Sequence, residues 1–479
     1  MPHLKIALVE AISKSTHVYS RACLPRAGVA TLGAVLKQLG YQVDIFIHAL
    51  SELEEQNLEA YDVVGIGSLS STIEEAYCLA DRLKSRQVAV VMGGPHVTFM
   101  PGEAICHCDV VVLGEGEGSL PALLAAMENK TPFENVRGIA FKRPDGEIHY
   151  TGPSDRVDYK SMPSPDFLLS SKVTPKNIPP IITTSRGCPH NCSFCSVTSV
   201  FGRKYRFKRT DQVIAELAPI KHRSVCFGDD NFCANPVRTK KLLRVMMEAD
   251  AVPLRWAGQM CVDAASDNEL LDLMQQTRCR IVYVGIESVD PETLKKYGKA
   301  HNVDAIRRAV DNLHKHHIGI HGMFVVDSGD KPEAARNIVD YAIGADIDTI
   351  QIFSITPFPG TRSFVENKNN IIHQDWRFYD GMHVVVKPQN CSAHDMQMAI
   401  VDEMNRFYSL PRALTAYRPN RGWRMKYRLG GHMLMRQWVR ENKDYIENLK
   451  TSFSPVASQR LEIKGAGADK YAPLGASTR

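Results

Sequence analysis

No stretch of this 479-residue chain approaches the roughly 18 to 20 consecutive apolar residues that a membrane-spanning helix needs. The amino-terminus MPHLKIALVEA passes straight into a strand-like pattern, without the charged and then apolar pattern of a secretory leader. The expected location is therefore cytoplasmic. Twelve cysteines scattered through apolar segments are too few and too dispersed for a disulfide framework, so any clustered ones point to metal. The net charge of +5 is too small to imply a nucleic-acid partner. Acidic residues are missing locally from residues 418 to 440, where Arg418, Arg421, Arg424, Lys426, Arg428, Arg436 and Arg440 interleave with Trp423, Tyr427, Leu429, Met433, Leu434 and Trp438. Such a segment either packs its apolar side on the body of the protein or lies peripherally on the inner membrane surface.

What is present is organised in successive parts. At 479 residues more than one core is expected. Residues 1–143 alternate β-branched runs (LKIALVE, YQVDIFIHA, YDVVGIGSL, QVAVVMGG, DVVVLGEGE) with amphipathic stretches, the pattern of a doubly wound parallel sheet with five strands. Residues 144–180, rich in proline (Pro144, Pro153, Pro163, Pro165, Pro175, Pro179, Pro180), read as an extended linker. From 181 to 365 six strand and helix units follow (IITTSRG, RSVCFGDDNF, LRWAGQM, RIVYVGIES, GIHGMFVVDS, TIQIFSITP), which predicts a partial (β/α)6 barrel with its chemistry at the strand C-termini. A mainly helical accessory region spans 366–450, and 451–479 reads as a disordered tail.

The first barrel strand runs into TTSRGCPHNCSFCSV, where Cys188, Cys192 and Cys195 stand at spacing C-x3-C-x2-C without a fourth nearby. Structural zinc takes four protein ligands, usually as two close pairs, so this spacing makes a poor zinc site unless His190 or a distant residue completes it. An iron-sulfur cube takes one ligand per iron, so three thiolates leave one iron open for a small molecule. Buried free cysteines are the bland alternative.

This motif, with Phe194 before its last cysteine and the barrel pattern after it, resembles the radical S-adenosylmethionine (SAM) superfamily. The resemblance implies a 4Fe-4S cluster whose open iron is chelated by SAM, and an electron from the cluster that cleaves SAM to a 5′-deoxyadenosyl radical. It also implies a flavodoxin- or ferredoxin-type electron donor. By the same resemblance Asp229 or Asp230 in FGDDNF takes the SAM ammonium, Glu287 closing YVGIES meets the ribose or methionine part, and Lys299 meets the SAM carboxylate. The upstream α/β domain and linker are similar to the cobalamin-binding subclass, which contains methylases of unactivated centres and an anaerobic ring cyclase. That subclass implies cobalamin, lined by Ser70, Ser71, Thr72, Gly93, Gly94, His96, Gly114, Glu115 and Gly116. The motif Asp-x-His-x-x-Gly, whose histidine ligates cobalt, is missing, and the loop after the first strand offers only His17. The expected function is transfer of a methyl group through cobalamin to an unactivated centre of a small-molecule or lipid-like substrate. The alternatives are cyclisation, oxidation or rearrangement on the same architecture and, remotely, a non-catalytic iron-sulfur sensor or scaffold.

Overall fold

The computed structural model describes residues 4–11, 25–47, 55–299, 301–417 and 422–451. His17 and the tail beyond 451 lie outside the described residues. The first domain is one sheet in the order β2-β1-β3-β4-β5-β6-β7, comprising β1 (Lys5–Glu10), β2 (Gln42–Ile47), β3 (Val63–Gly67), β4 (Ala89–Gly93), β5 (Val110–Val112), β6 (Ile139–Lys142) and β7 (Ile148–Tyr150). The first five strands pair in parallel, as their unbroken apolar runs require, because helices cover both faces. In β1, Ala7 and Val9 join the core under the helix Ile73–Ser85, while Ile6 and Leu8 join the core under the helices Ala27–Gln38 and Gly116–Asn129. The expected doubly wound layer is thus present, with an addition. Strands β6 and β7 extend it antiparallel, and β7 lies inside the segment expected to be linker. The chain beyond β7 is extended but pinned, since Tyr159, Met162, Phe167 and Val173 are buried.

The second sheet is β8 (Ile181–Ile182), β11 (Ser224–Phe227), β12 (Arg255–Cys261), β13 (Cys279–Glu287), β14 (Gly319–Val326) and β15 (Thr349–Ser354), all parallel, each beside its predecessor. A small antiparallel pair, β9 (Ser185–Arg186) and β10 (Arg206–Phe207), stands beside its first strand. All six expected barrel strands are present. Helices Ala393–Phe407, Leu410–Thr415, Gly422–Glu441 and Lys443–Lys450 form the C-terminal region.

The basic segment packs Met435 and Trp438 into the barrel core, the first of the two expected placements, but not by apolar residues alone. It turns two arginines inward, with Arg424 taking Asp346 and Asp348, and Arg428 donating to the carbonyls of Ile347 and Asp348. Those acceptors lie just before β15, and Trp423 sits on Gly319 at the start of β14, so the helix closes the lower end of the barrel.

The two domains face each other across a shared apolar core. Val9, Val64 and Ile66 of the first domain cluster with Tyr297, Val325 and Ile355 of the barrel and with Trp376, Tyr379 and Val385 beyond it. Phe99, after β4, lies against Gly360, after β15, where a Cβ would stand 2.3 Å from the ring, so only glycine admits this contact. The C-terminal ends of both sheets therefore face each other, the side on which open α/β sheets and barrels bind ligands.

Candidate active site

The cysteine loop hangs between fixed points. On its upstream side Arg186 of β9 donates to Glu117 at 2.6 Å, and its guanidinium lies over the rings of Tyr159 and Phe201. On its downstream side the Ser363 amide donates to the Ser193 carbonyl at 3.0 Å and Arg362 donates to the Asn191 carbonyl at 2.7 Å. All three thiols are half-buried. Burial, with Cys192, Asp230 and Cys188 nearby, pushes the Cys195 thiol up to about 12, and burial also raises Cys188. Thiols crowded with other acidic groups give up their protons only when a positive centre takes up the charge, and such a centre is what an iron-sulfur cluster supplies. Among the described residues no three His, Cys, Asp or Glu side chains converge as ligands of one metal ion. The donor set fits a cube, where each thiolate takes its own iron.

The two aspartates of FGDDNF do different work. Asp229 is buried and accepts from the Thr184 amide at 3.0 Å, the Thr184 hydroxyl at 3.0 Å and the Ser185 hydroxyl, while Arg238 donates to Thr184 at 2.7 Å. Its oxygens hold β11 to the strand that leads into the cysteine loop, so it is not the free acceptor that the sequence allowed. Asp230 is half-buried beside Cys188 and Cys195, and burial together with Asp229 raises its carboxyl to about 6. It is the one of the two available to a ligand ammonium.

Glu287 and Lys299 form a buried ion pair at 2.9 Å. Burial opposes the Lys299 charge, but Glu287 and Cys192 outweigh it and hold the ammonium above its ordinary range. Glu287 stands at φ 67 beside a register shift of β13, a strained conformation that turns its side chain back toward Lys299. Phe194 packs edge-on to Tyr297, with centroids 5.3 Å apart. Two further groups were not expected: Asn231 donates to the Cys261 sulfur at 3.3 Å while its Oδ1 is buried without a partner, and the buried Tyr297 hydroxyl likewise has none. Asn231 follows Asp230 after β11 and Tyr297 ends the helix before Lys299, but nothing in their spacing marks them.

On the facing sheet, Ser70, Ser71 and Thr72 follow β3, Gly93 ends β4, and Gly94 and His96 follow it. The turn at Gly94, with φ 113, would put a Cβ 2.3 Å from the Ser68 carbonyl, which excludes every side chain. His96 is buried and bridges Ser70 (Nδ1 to Oγ, 3.0 Å) and Glu103 (Nε2 to Oε1, 3.4 Å). The indole of Trp376, from the segment after the barrel, donates to Glu103 at 3.1 Å. Burial would raise the Glu103 carboxyl, but His96, Tyr77 and Trp376 hold it below its ordinary range. Ser68 Oγ is buried with no partner. A side-chain-free turn, an unsatisfied buried hydroxyl and the Ser70 and His96 pair make a polar slot that fits the tail of a corrinoid.

GEGEGS is different. Glu115 is buried and accepts from both ends of the Arg206 guanidinium, at 2.9 Å for one, and from the Val157 amide at 3.0 Å, with Arg156 and Arg186 also in range. Burial would raise its carboxyl, but Arg206, Val157 and Arg186 overcome that and hold it low. Glu115 thus clamps the first domain to β9 and β10 instead of lining a cofactor. Gly116 opens the following helix and Gly114 is held at φ 68 by its turn. The expected placement of Glu115 failed because its partners lie 41 to 91 residues away in the chain.

A family profile described as the radical SAM superfamily matches residues 182–342, and one described as a B12 binding domain matches residues 18–124. An uncharacterized methyltransferase of Pyrococcus horikoshii is 30% identical over 376 residues, covering 74% of this chain and 80% of that protein. The bacteriochlorophyllide d C-12(1)-methyltransferase of Chlorobaculum tepidum is 29% identical over 344 residues, covering 70% and 72%. In fold the chain is similar to OxsB, a cobalamin-dependent SAM radical enzyme solved with aqua-cobalamin bound, with a TM-score of 0.68 at 14% identity over 94% of this chain and 75% of that one.

Proposed function

Since the chain belongs to the radical SAM superfamily, in the branch that joins it to a B12-binding domain, we propose that it methylates an unactivated centre of a hydrophobic small molecule. When bound, the cluster and SAM supply the radical and the corrinoid supplies the methyl group. The residues supply position: Cys188, Cys192 and Cys195 hold the cluster, Asp230 accepts from the SAM ammonium, and Lys299 faces its carboxylate. Glu287 orients Lys299 and Asp229 fixes the strand ends. Ser68, Ser70 and His96 take the corrinoid tail.

The observation that carries this reading is that the two strand-end rims face each other, held by Phe99 on Gly360 and Trp376 on Glu103. A radical formed at one rim and a methyl donor held at the other can then meet the same substrate atom. The substrate class is read from the barrel interior, where Gln259, Cys261, Tyr283, His321, Met323 and Phe353 are more open than the residues beside them. Tyr283, Phe353 and Met323 make half of that lining aromatic or thioether, with one polar band where His321 Nδ1 meets the Thr349 hydroxyl at 2.9 Å. Burial alone lowers His321 to about 4, so it acts as a neutral ring. This lining supports a tetrapyrrole-like or lipid-like body with few charges, and the exposed side of the helix Gly422–Glu441 supports a peripheral contact with a membrane.

The test is reduced, cofactor-loaded enzyme given SAM labelled in its methyl group together with small-molecule extracts graded by polarity. Label is expected in the apolar fractions. Label confined to water-soluble products would refute the substrate class.

A further inference from the structure

At the lower end of the barrel, away from the rims, an open cleft of ≈ 360 Å³ is lined by Arg255, Arg278, Arg280, His316 and His317. Arg255 opens β12, Arg278 and Arg280 flank the start of β13, and the histidines end the helix before β14, so residues from three chain segments share one surface. Among the described residues no carboxylate stands within ion-pair distance of these arginines. Two acids at this end of the barrel are engaged elsewhere, Asp250 by Lys221 and Asp346 by Arg424, while Asp272 meets the cleft's own His316 at 3.3 Å and leaves the arginines unpaired. Burial and the neighbouring Arg255 lower the Arg280 pKa, so the arginines repel one another without a counter-charge. Arg280 Nε is buried with no acceptor, and its guanidinium lies 5.8 Å from the Trp423 ring. Guanidinium forks gathered without acids are suited to a phosphate, whose oxygens accept paired hydrogen bonds.

The surroundings indicate where that phosphate comes from. Trp423 contacts Tyr427, with centroids 5.3 Å apart, and Tyr427 is 48% exposed. Leu254 of the cleft lining is exposed as well, as are Leu410, Leu414, Tyr417 and Met433, so six of the ten large apolar side chains that the described surface shows most belong to the cleft, to the helices Leu410–Thr415 and Gly422–Glu441 or to the chain between them. Lys426 and Arg436 are exposed among them, and no acid occurs between 418 and 440. Apolar and aromatic side chains ringed by cations suit the boundary between headgroups and acyl chains.

We propose that the cleft binds the phosphate of an anionic phospholipid headgroup, with Tyr427, Met433 and Leu414 resting at the acyl boundary. This rests on the membrane contact proposed above. The experiment is co-sedimentation of the full-length, cluster-loaded protein with vesicles of phosphatidylcholine alone or mixed with phosphatidylglycerol. It compares wild type with Arg255→Gln/Arg278→Gln and with Lys426→Gln/Arg436→Gln, all exposed positions. Wild type is expected to pellet with the mixed vesicles only, and the cleft pair to lose roughly tenfold to thirtyfold in affinity, more than the helix pair. Equal losses in the two variants, or none in the cleft pair, would overturn the cleft site and leave the membrane contact standing. Wild type that ignores the mixed vesicles would overturn both.

Discussion

The barrel rim and the sheet rim face each other, yet they differ in what their residues meet. At the barrel rim the motif residues lie together: three thiols on one loop, with Asp230, Glu287 and Lys299 near them. At the sheet rim one of the two glycine-rich loops, GGPH, presents a polar slot, while the other, GEGEGS, gives its carboxylates to Arg186 and Arg206 of the barrel domain. The first domain therefore uses similar loops differently, one keeping its polar groups among themselves and one reaching to the strands beside the cysteine loop.

Variants sharpen that comparison. The largest effect belongs to the thiols: Cys188→Ala, Cys192→Ala or Cys195→Ala should abolish the cluster's visible absorption and bring 5′-deoxyadenosine formation to background. Next is the clamp. Glu115→Ala leaves Arg206 buried without its partner and should cost about 3 to 5 kcal/mol, read as a shift in denaturant midpoint. Unchanged stability would mean that the domains are held by the apolar core alone. A smaller effect separates the aspartates. Asp230→Asn should weaken SAM binding roughly tenfold to a hundredfold at unchanged stability, whereas Asp229→Asn should lower the unfolding midpoint. If the two variants behave alike, the division of labour at FGDDNF is wrong. Trp376→Phe removes one hydrogen bond to Glu103 and should cost about 1 kcal/mol, with cobalamin affinity measured alongside.

The smallest effect is on pH. Glu115 is held below its unfolded value of about 4.3, so its contribution is complete above that pH and is lost as pH falls through the lowered folded value. The stability gap between wild type and Glu115→Gln should therefore narrow only on the acid side.

Spacing along the chain decides how much of this was legible. The six barrel strands and the first five strands of the sheet could be read from unbroken apolar runs, because burial on both faces leaves no other pattern. The cysteine cluster could be read because all three fall within eight residues. Strand β7 was hidden in a proline-rich stretch, since Ile148–Tyr150 is an edge strand of only three residues. The roles of Glu115, Asp229, Arg424 and Arg428 were hidden because each depends on partners tens of residues away, and a charged residue in a motif looks the same whether it meets a ligand or a distant arginine. The cationic window from 418 to 440 had the same ambiguity. Its periodicity could not tell which cations turn inward, and the carboxylates that settle the matter precede β15.

The central claim is that a radical made from SAM at the barrel rim and a methyl group that SAM supplies through the corrinoid at the sheet rim meet on one substrate, and product counting in reduced, cluster- and cobalamin-loaded enzyme tests it most directly. Incubation with SAM and a methyl-accepting apolar fraction is predicted to give S-adenosylhomocysteine and 5′-deoxyadenosine in about equal amounts. Turnover that releases 5′-deoxyadenosine with no S-adenosylhomocysteine would contradict methyl transfer and assign the chain to cyclisation or rearrangement chemistry.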